Sequence, residues 1–174
     1  MTISDFLYED FELDLFTTTL SAIKNPEFID LSGQDCSTIY LDSSILLLSG
    51  TDDRINFLRN VSPDGSTIVS LFSWIDSTSM VFEGNAGFEG SCYNLDSFSY
   101  LDDLSSTYSE NIANKGGVVF AINDSLFYFL SCEFARNIAI DSGSVLYAMY
   151  NSDPKALEFV DCYFHDNYAY QNLM

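Results

Sequence analysis

An aromatic residue, two arbitrary residues and an asparagine recur five times along this chain at a nearly constant step. The copies are Phe57-Leu-Arg-Asn60, Phe82-Glu-Gly-Asn85, Tyr108-Ser-Glu-Asn111, Phe134-Ala-Arg-Asn137 and Phe164-His-Asp-Asn167. Successive asparagines lie 25, 26, 26 and 30 residues apart. A fixed period of roughly 20–50 residues marks a repeat architecture and overrides local readings of the sequence.

Other columns keep the same phase. Five residues after each asparagine come Gly65, Gly90, Gly116, Ser142 and Asn172, residues that turn the backbone sharply. Two residues after each asparagine only Ser62, Gly87, Ala113, Ala139 and Ala169 occur, all small. Short β-branched and aromatic runs follow the glycine column, as in Val118-Val119-Phe120, and read as strands. A second strand leads into each asparagine, as in Ser125–Ser131 and Leu157–Val160. The unit is therefore strand, turn, strand, turn.

A coil of 25–26 residues per turn accounts for these columns, with each turn lying over the last and equivalent strands pairing in parallel about 4.8 Å apart. Connections of this kind are almost always right-handed. The expected fold is thus all-β, a right-handed parallel β-helix over residues 31–174, with residues 1–30 as a cap or an irregular first rung. Stacking places aromatic on aromatic, here Phe57, Phe82, Tyr108, Phe134 and Phe164. It also places amide on amide along Asn60, Asn85, Asn111, Asn137 and Asn167. A buried asparagine lacking partners would be costly, whereas a file of them satisfies itself from rung to rung. Both columns are accordingly read as structural. The polar stretch Leu95–Leu104 reads as a loop bulging from one turn, and Asn151-Ser-Asp-Pro-Lys155 as the insertion behind the longer last step. The chain stops on a turn at Met174, so an uncapped end, a fragment of a longer protein or end-to-end self-association is expected there.

Lys and Arg total 6 against 26 Asp and Glu, a net charge of −20. Nucleic acid needs clustered cations and is excluded as a partner on that ground. An acidic exterior can collect divalent cations, and Asp52-Asp53 and Asp102-Asp103 are weak candidates for Ca²⁺; no other cofactor is expected. No apolar run approaches the roughly 18 residues of a membrane helix. The N-terminus carries no cationic stretch and does not read as a secretory signal. Cys132 and Cys162 each stand five residues before a ladder asparagine and should be neighbours on adjacent rungs. That spacing permits a disulfide, and cysteine is equally a small core residue, so the pair is either a bridge or two thiols.

The segment Tyr108-Ser-Glu-Asn111-Ile-Ala-Asn-Lys-Gly116-Gly117-Val-Val-Phe120 resembles the repeats of polymorphic outer-membrane proteins, within the wider pectin-lyase-like group of right-handed parallel β-helices. Phe134-Ala-Arg-Asn137-Ile-Ala-Ile-Asp-Ser142-Gly143 is similar to them too. The resemblance covers about residues 56–174. It implies an adhesin or surface-exposed region, with a protein or glycan partner and an extracellular or cell-surface location. The wider group also holds polysaccharide lyases and glycoside hydrolases. A glycosidase needs two carboxylates flanking the scissile bond, yet neighbouring strand residues point to opposite faces, so neither Asp pair makes a site by itself. His165 is the only histidine and reads as a surface residue. No nucleophile elbow or phosphate-binding glycine loop is present. The expected function is non-enzymatic: recognition or scaffolding by a repeat domain, with a carbohydrate-active enzyme as the alternative.

Overall fold

Strand formers and turn residues alternate so closely here that no strand exceeds the seven residues of Cys36–Asp42. The structure is a computed structural model and describes residues 13–16, 19–21, 27–50, 54–150, 152 and 157–170. Among them there is no helix. The chain winds into a parallel β-solenoid of about five turns, with three sheets of six strands and one of five. One turn is Ser66–Leu71, Trp74–Thr78, Met80–Glu83 and Ala86–Glu89, one strand for each of four sheets taken in that order. The unit thus holds four short strands where the sequence pattern gave two. Every described strand pair is parallel, and register is kept from turn to turn except for shifts at Cys36–Ile39 and Ala113–Lys115.

The extra corners come from residues in the left-handed region. The residue preceding each ladder asparagine has positive φ: 55° at Arg59, 66° at Gly84, 58° at Glu110, 54° at Arg136 and 55° at Asp166. Only Gly84 announces this by its type. A left-handed L-residue costs roughly 1–2 kcal/mol, a cost met because the corner lets the asparagine turn inward. Corner charges also stack between turns, so Arg59 pairs with Asp30 at 2.7 Å and Arg136 with Glu110 at 3.0 Å. Both pairs are exposed, and each contributes little.

Each asparagine bonds in two directions. The Asn85 Nδ2 donates to Asn111 Oδ1 at 3.0 Å and to the Phe57 carbonyl at 2.9 Å. Its Oδ1 accepts from the Asn60 backbone N–H and side-chain amide, both at 3.0 Å. The pattern repeats at Asn111 and Asn137 and ends on Asn167. Asn60, Asn85, Asn111 and Asn137 are fully buried. Beside them the rings of Phe57, Phe82, Tyr108, Phe134 and Phe164 stack with centroids 4.5–5.2 Å apart. Phe28 adds a sixth ring, 4.6 Å from Phe57. Leu31 stands in the asparagine file of that turn, its N–H donating to Asn60 Oδ1.

Two expectations need correcting, and one open alternative is resolved. Leu95–Leu104 is no loop, because it carries the strands Tyr93–Asp96 and Tyr100–Leu104, joined by a corner at Ser97 and Phe98. Its polar residues are accommodated on alternate faces. The partner of Gly116 in the turn column is Gly143, not Ser142, since a register shift between Ala113 and Lys115 moves the column by one residue. Gly116 has φ 63° and Gly143 φ 71°, and a Cβ at either would fall 2.1 Å from a backbone carbonyl oxygen, so only glycine fits the column. Cys132 and Cys162 do sit one turn apart, but both are free thiols. Each Sγ turns to a backbone carbonyl, that of Leu130 for Cys132 and that of Val160 for Cys162, the geometry of stacked neighbours rather than of a bridge.

The segment 1–30 contributes Leu13–Phe16, Thr19–Ser21 and Glu27–Ile29, which pair with the next turn in three of the sheets. The insertion at 151–155, apart from Ser152, and the last four residues lie outside the described residues.

Asn111→Ala would remove, inside the core, the acceptor of the Asn85 N–H and of one Asn85 amide hydrogen, and the side-chain donor to the Phe82 carbonyl. It should destabilise the protein by at least about 3 kcal/mol, read as a fall in denaturant midpoint, whereas Asn167→Ala at the half-exposed end of the file should cost about 1 kcal/mol.

Candidate functional site

The described arginines flank the third sheet, and the exposed rings of Phe72, Trp74 and Phe98 lie on and beside the second. The second sheet is built from Thr19–Ser21, Ile45–Ser49, Trp74–Thr78, Tyr100–Leu104, Leu126–Leu130 and Leu157–Val160. Strict alternation sends Ile75, Ser77, Leu101, Asp103, Phe127 and Phe129 inward, where all are buried. The outward residues then form files across the turns: Ile45, Trp74, Tyr100 and Leu126 in one, and Leu47, Asp76, Asp102, Tyr128 and Glu158 in the next. The Trp74 and Tyr100 rings meet edge-on with centroids 4.8 Å apart.

The corner entering this sheet is unusual. A file of buried serines, Ser44, Ser73, Ser99 and Ser125, lines its inner side, and the hydroxyls of Ser73, Ser99 and Ser125 each accept from the backbone N–H of the serine one turn before. The residue preceding each serine is left-handed: Ser43, Phe72, Phe98 and Asp124. Serine and aspartate suit that conformation through their short polar side chains. Phenylalanine does not, and a bulky residue there is an outlier. Phe72 and Phe98 are nevertheless placed in it at φ 48° and 63°, with 59% and 69% of their surface exposed. Phe72 and Trp74 on one turn and Phe98 and Tyr100 on the next thus make a four-ring aromatic patch. Backbone strain and apolar exposure both cost stability, which makes this corner the candidate contact surface of the described residues.

Carboxylates border this patch. Asp76 and Asp102 are register partners. Burial and then the neighbouring Asp76 raise the Asp102 carboxyl above its ordinary range. The Tyr100 phenol is raised by burial, then by Asp102, Asp76, Tyr128 and Glu158. These groups therefore face one another.

Of the sequence candidates, Asp102 lies on this face. Asp103 points the other way, into the core. The Ser77 and Ser106 hydroxyls donate to its Oδ1 at 2.9 and 2.6 Å, and the Tyr108 hydroxyl donates to its Oδ2. Burial raises its carboxyl from 3.8 to about 6, although the hydrogen bonds pull the other way. Asp102 and Asp103 thus do not converge on a cation. Asp52 and Asp53 lie outside the described residues. No group of three metal-ligating side chains occurs among the described residues. The asparagine and aromatic files are internal and touch no surface until Phe164 and Asn167. His165 is partly exposed between Glu133 and Asp166, both of which raise its imidazole.

A second concavity, of about 440 Å³, is lined by Val145, Leu146, Phe164 and Asn167. It is the open top of the solenoid over its last described turn. No helix among the described residues is long and apolar enough to cross a membrane. No protein-family model, curated protein or solved structure matches this chain.

The aromatic corner escaped the sequence reading because Phe72 sits in a hydrophobic run and Phe98 in the polar stretch that reads as a loop. The signal that finds them is a step of 26 between Phe72-Ser-Trp74 and Phe98-Ser-Tyr100, in phase with the asparagines.

The Asp103 carboxyl holds its proton in the folded protein between about pH 4 and 6, where the unfolded chain has lost it. Stability from this group is fully present below about pH 4 and is lost as pH rises through 6. The melting temperature of Asp103→Asn relative to the native protein should therefore rise between pH 4 and pH 8, and a difference independent of pH would contradict the assignment.

Proposed function

We propose that this protein is a non-enzymatic recognition module whose contact surface is the outer face of the second sheet. The observation that carries this reading is the pair Phe72 and Phe98, bulky exposed rings held at backbone conformations that favour other residues. A solenoid suits such a role, because its turns repeat a rigid strand face about every 4.8 Å and hold the aromatic files without loop motion. The resemblance of the repeats to polymorphic outer-membrane proteins, members of the pectin-lyase-like group, supports a protein or glycan partner and a cell-surface location.

One observation favours a second reading, that of a carbohydrate-active enzyme. Asp76 and Asp102 are adjacent, one of them has a raised carboxyl, and aromatic rings flank them. Paired carboxylates of unequal acidity are what glycoside hydrolysis requires. The face is flat, however, and the concavity of the structure lies at the end of the solenoid instead.

Peptide and glycan arrays probed with the native protein and with Phe72→Asn/Phe98→Asn separate these readings. The variant should lose the native binding signal by tenfold or more. It should also melt higher, by the equivalent of about 1–2 kcal/mol, since asparagine tolerates the left-handed region. An identical array profile for both proteins would refute the proposed surface. Turnover of a polysaccharide that Asp102→Asn abolishes would establish the enzyme instead.

A further inference from the structure

The six strands of the second sheet contain no Lys or Arg, while their outward files carry Asp76, Asp102 and Glu158. The described cations are all engaged elsewhere. Arg54 donates to Thr107, and Arg59 and Arg136 pair with Asp30 and Glu110 at the corner after the third sheet. Lys115 lies over the Tyr147 ring, 5.4 Å from its centroid. His165 stands between Glu133 and Asp166. Among the described residues the aromatic face is therefore the place where carboxylates stack without a counter-charge. At the corner after the third sheet, by contrast, Asp30 and Glu110 are each paired with an arginine of the next turn.

Mutual repulsion on this face is real in its effects. Asp102 is harder to ionise because of Asp76, and Tyr100 because of Asp102, Asp76, Tyr128 and Glu158, in each case after burial. Exposed rings sit alongside: Trp74 at 52%, Phe72 at 59% and Phe98 at 69%. A ligand matching both features needs positive charge that also lies flat on an aromatic ring. The arginine guanidinium does this, since it is planar, stacks on Trp and Tyr, and binds carboxylates bidentately. Lysine supplies the charge without the planar stacking. A neutral sugar would use the rings and leave the carboxylate repulsion unrelieved.

Resting on the recognition role proposed above, we infer that the outer face of the second sheet docks an arginine-rich segment of a partner protein. Guanidinium groups stack on Trp74 and Tyr100 and pair with Asp76 and Asp102, while Phe72 and Phe98 cover the aliphatic stems.

Trp74 is the only tryptophan of the chain and reports on the site directly. Its fluorescence is titrated with octa-arginine, octa-lysine and cellohexaose at 150 mM salt, using the native protein, Asp76→Asn/Asp102→Asn and the charge control Glu83→Gln/Glu89→Gln. Octa-arginine should give a saturable Trp74 change, at least fivefold tighter than octa-lysine. It should bind tenfold or more weaker to Asp76→Asn/Asp102→Asn and unchanged to the control, with all three proteins melting within a few degrees of one another. Equal weakening by both double variants would reduce the binding to net charge and overturn the inference. So would equal affinity for the two peptides, or no response to either. A response to cellohexaose alone would overturn it while leaving the recognition role standing; only a flat array profile, as above, removes that role.

Discussion

Everything in this solenoid depends on an amide that must find partners above and below itself. An asparagine side chain in a buried corner has two donors and an acceptor oxygen to satisfy, and no single turn of chain can supply them all. Here the Asn111 amide reaches back to the Phe82 carbonyl and forward to Asn137 Oδ1, while its own oxygen receives two bonds from Asn85. Register is thereby locked: slipping one turn by a residue would orphan each of these groups at once. The aromatic file follows, because rings three positions earlier are carried into contact by the same register, with Phe57 and Phe82 parallel to within 3°. Directional bonds set the geometry, and ring burial supplies most of the driving force.

Much of this was legible because asparagine and phenylalanine are poor choices for a buried corner unless they stack. Their phase therefore announces the coil. What remained hidden depends on neighbours distant in sequence. Asp103 looked like half of an exposed acidic pair, and its burial goes with hydroxyls from the turn before, Ser77, and from beyond the next corner, Ser106 and Tyr108, which the sequence pattern does not connect. Left-handed corners at Asp30, Arg59, Glu110 and Arg136 were invisible because the file above and below imposes the conformation on side chains that do not prefer it. Phe28 was missed because Leu31 replaces the asparagine that flags the other turns. In the serine file the residue is too common in this chain for its spacing to stand out.

The same rigidity that fixes the core frees the outside. Once a turn is held by its inward residues, outward positions can carry side chains that would be a liability in a less constrained fold. The second sheet and the corner leading into it use that freedom to expose Phe72, Trp74 and Phe98 beside the register partners Asp76 and Asp102. The third and fourth sheets, by contrast, use it for exposed cross-turn ion pairs. That contrast between faces of one repeating scaffold is what the proposed contact surface rests on.

The most direct test of the stacked register is a through-space measurement in solution between side chains far apart in sequence. Nuclear Overhauser contacts should link the ring protons of Phe57 to Phe82, Phe82 to Tyr108 and Tyr108 to Phe134, and the side-chain amide protons of Asn85 to those of Asn111, with the amides protected from solvent exchange for hours. Rapid amide exchange together with the absence of these ring contacts would contradict the account.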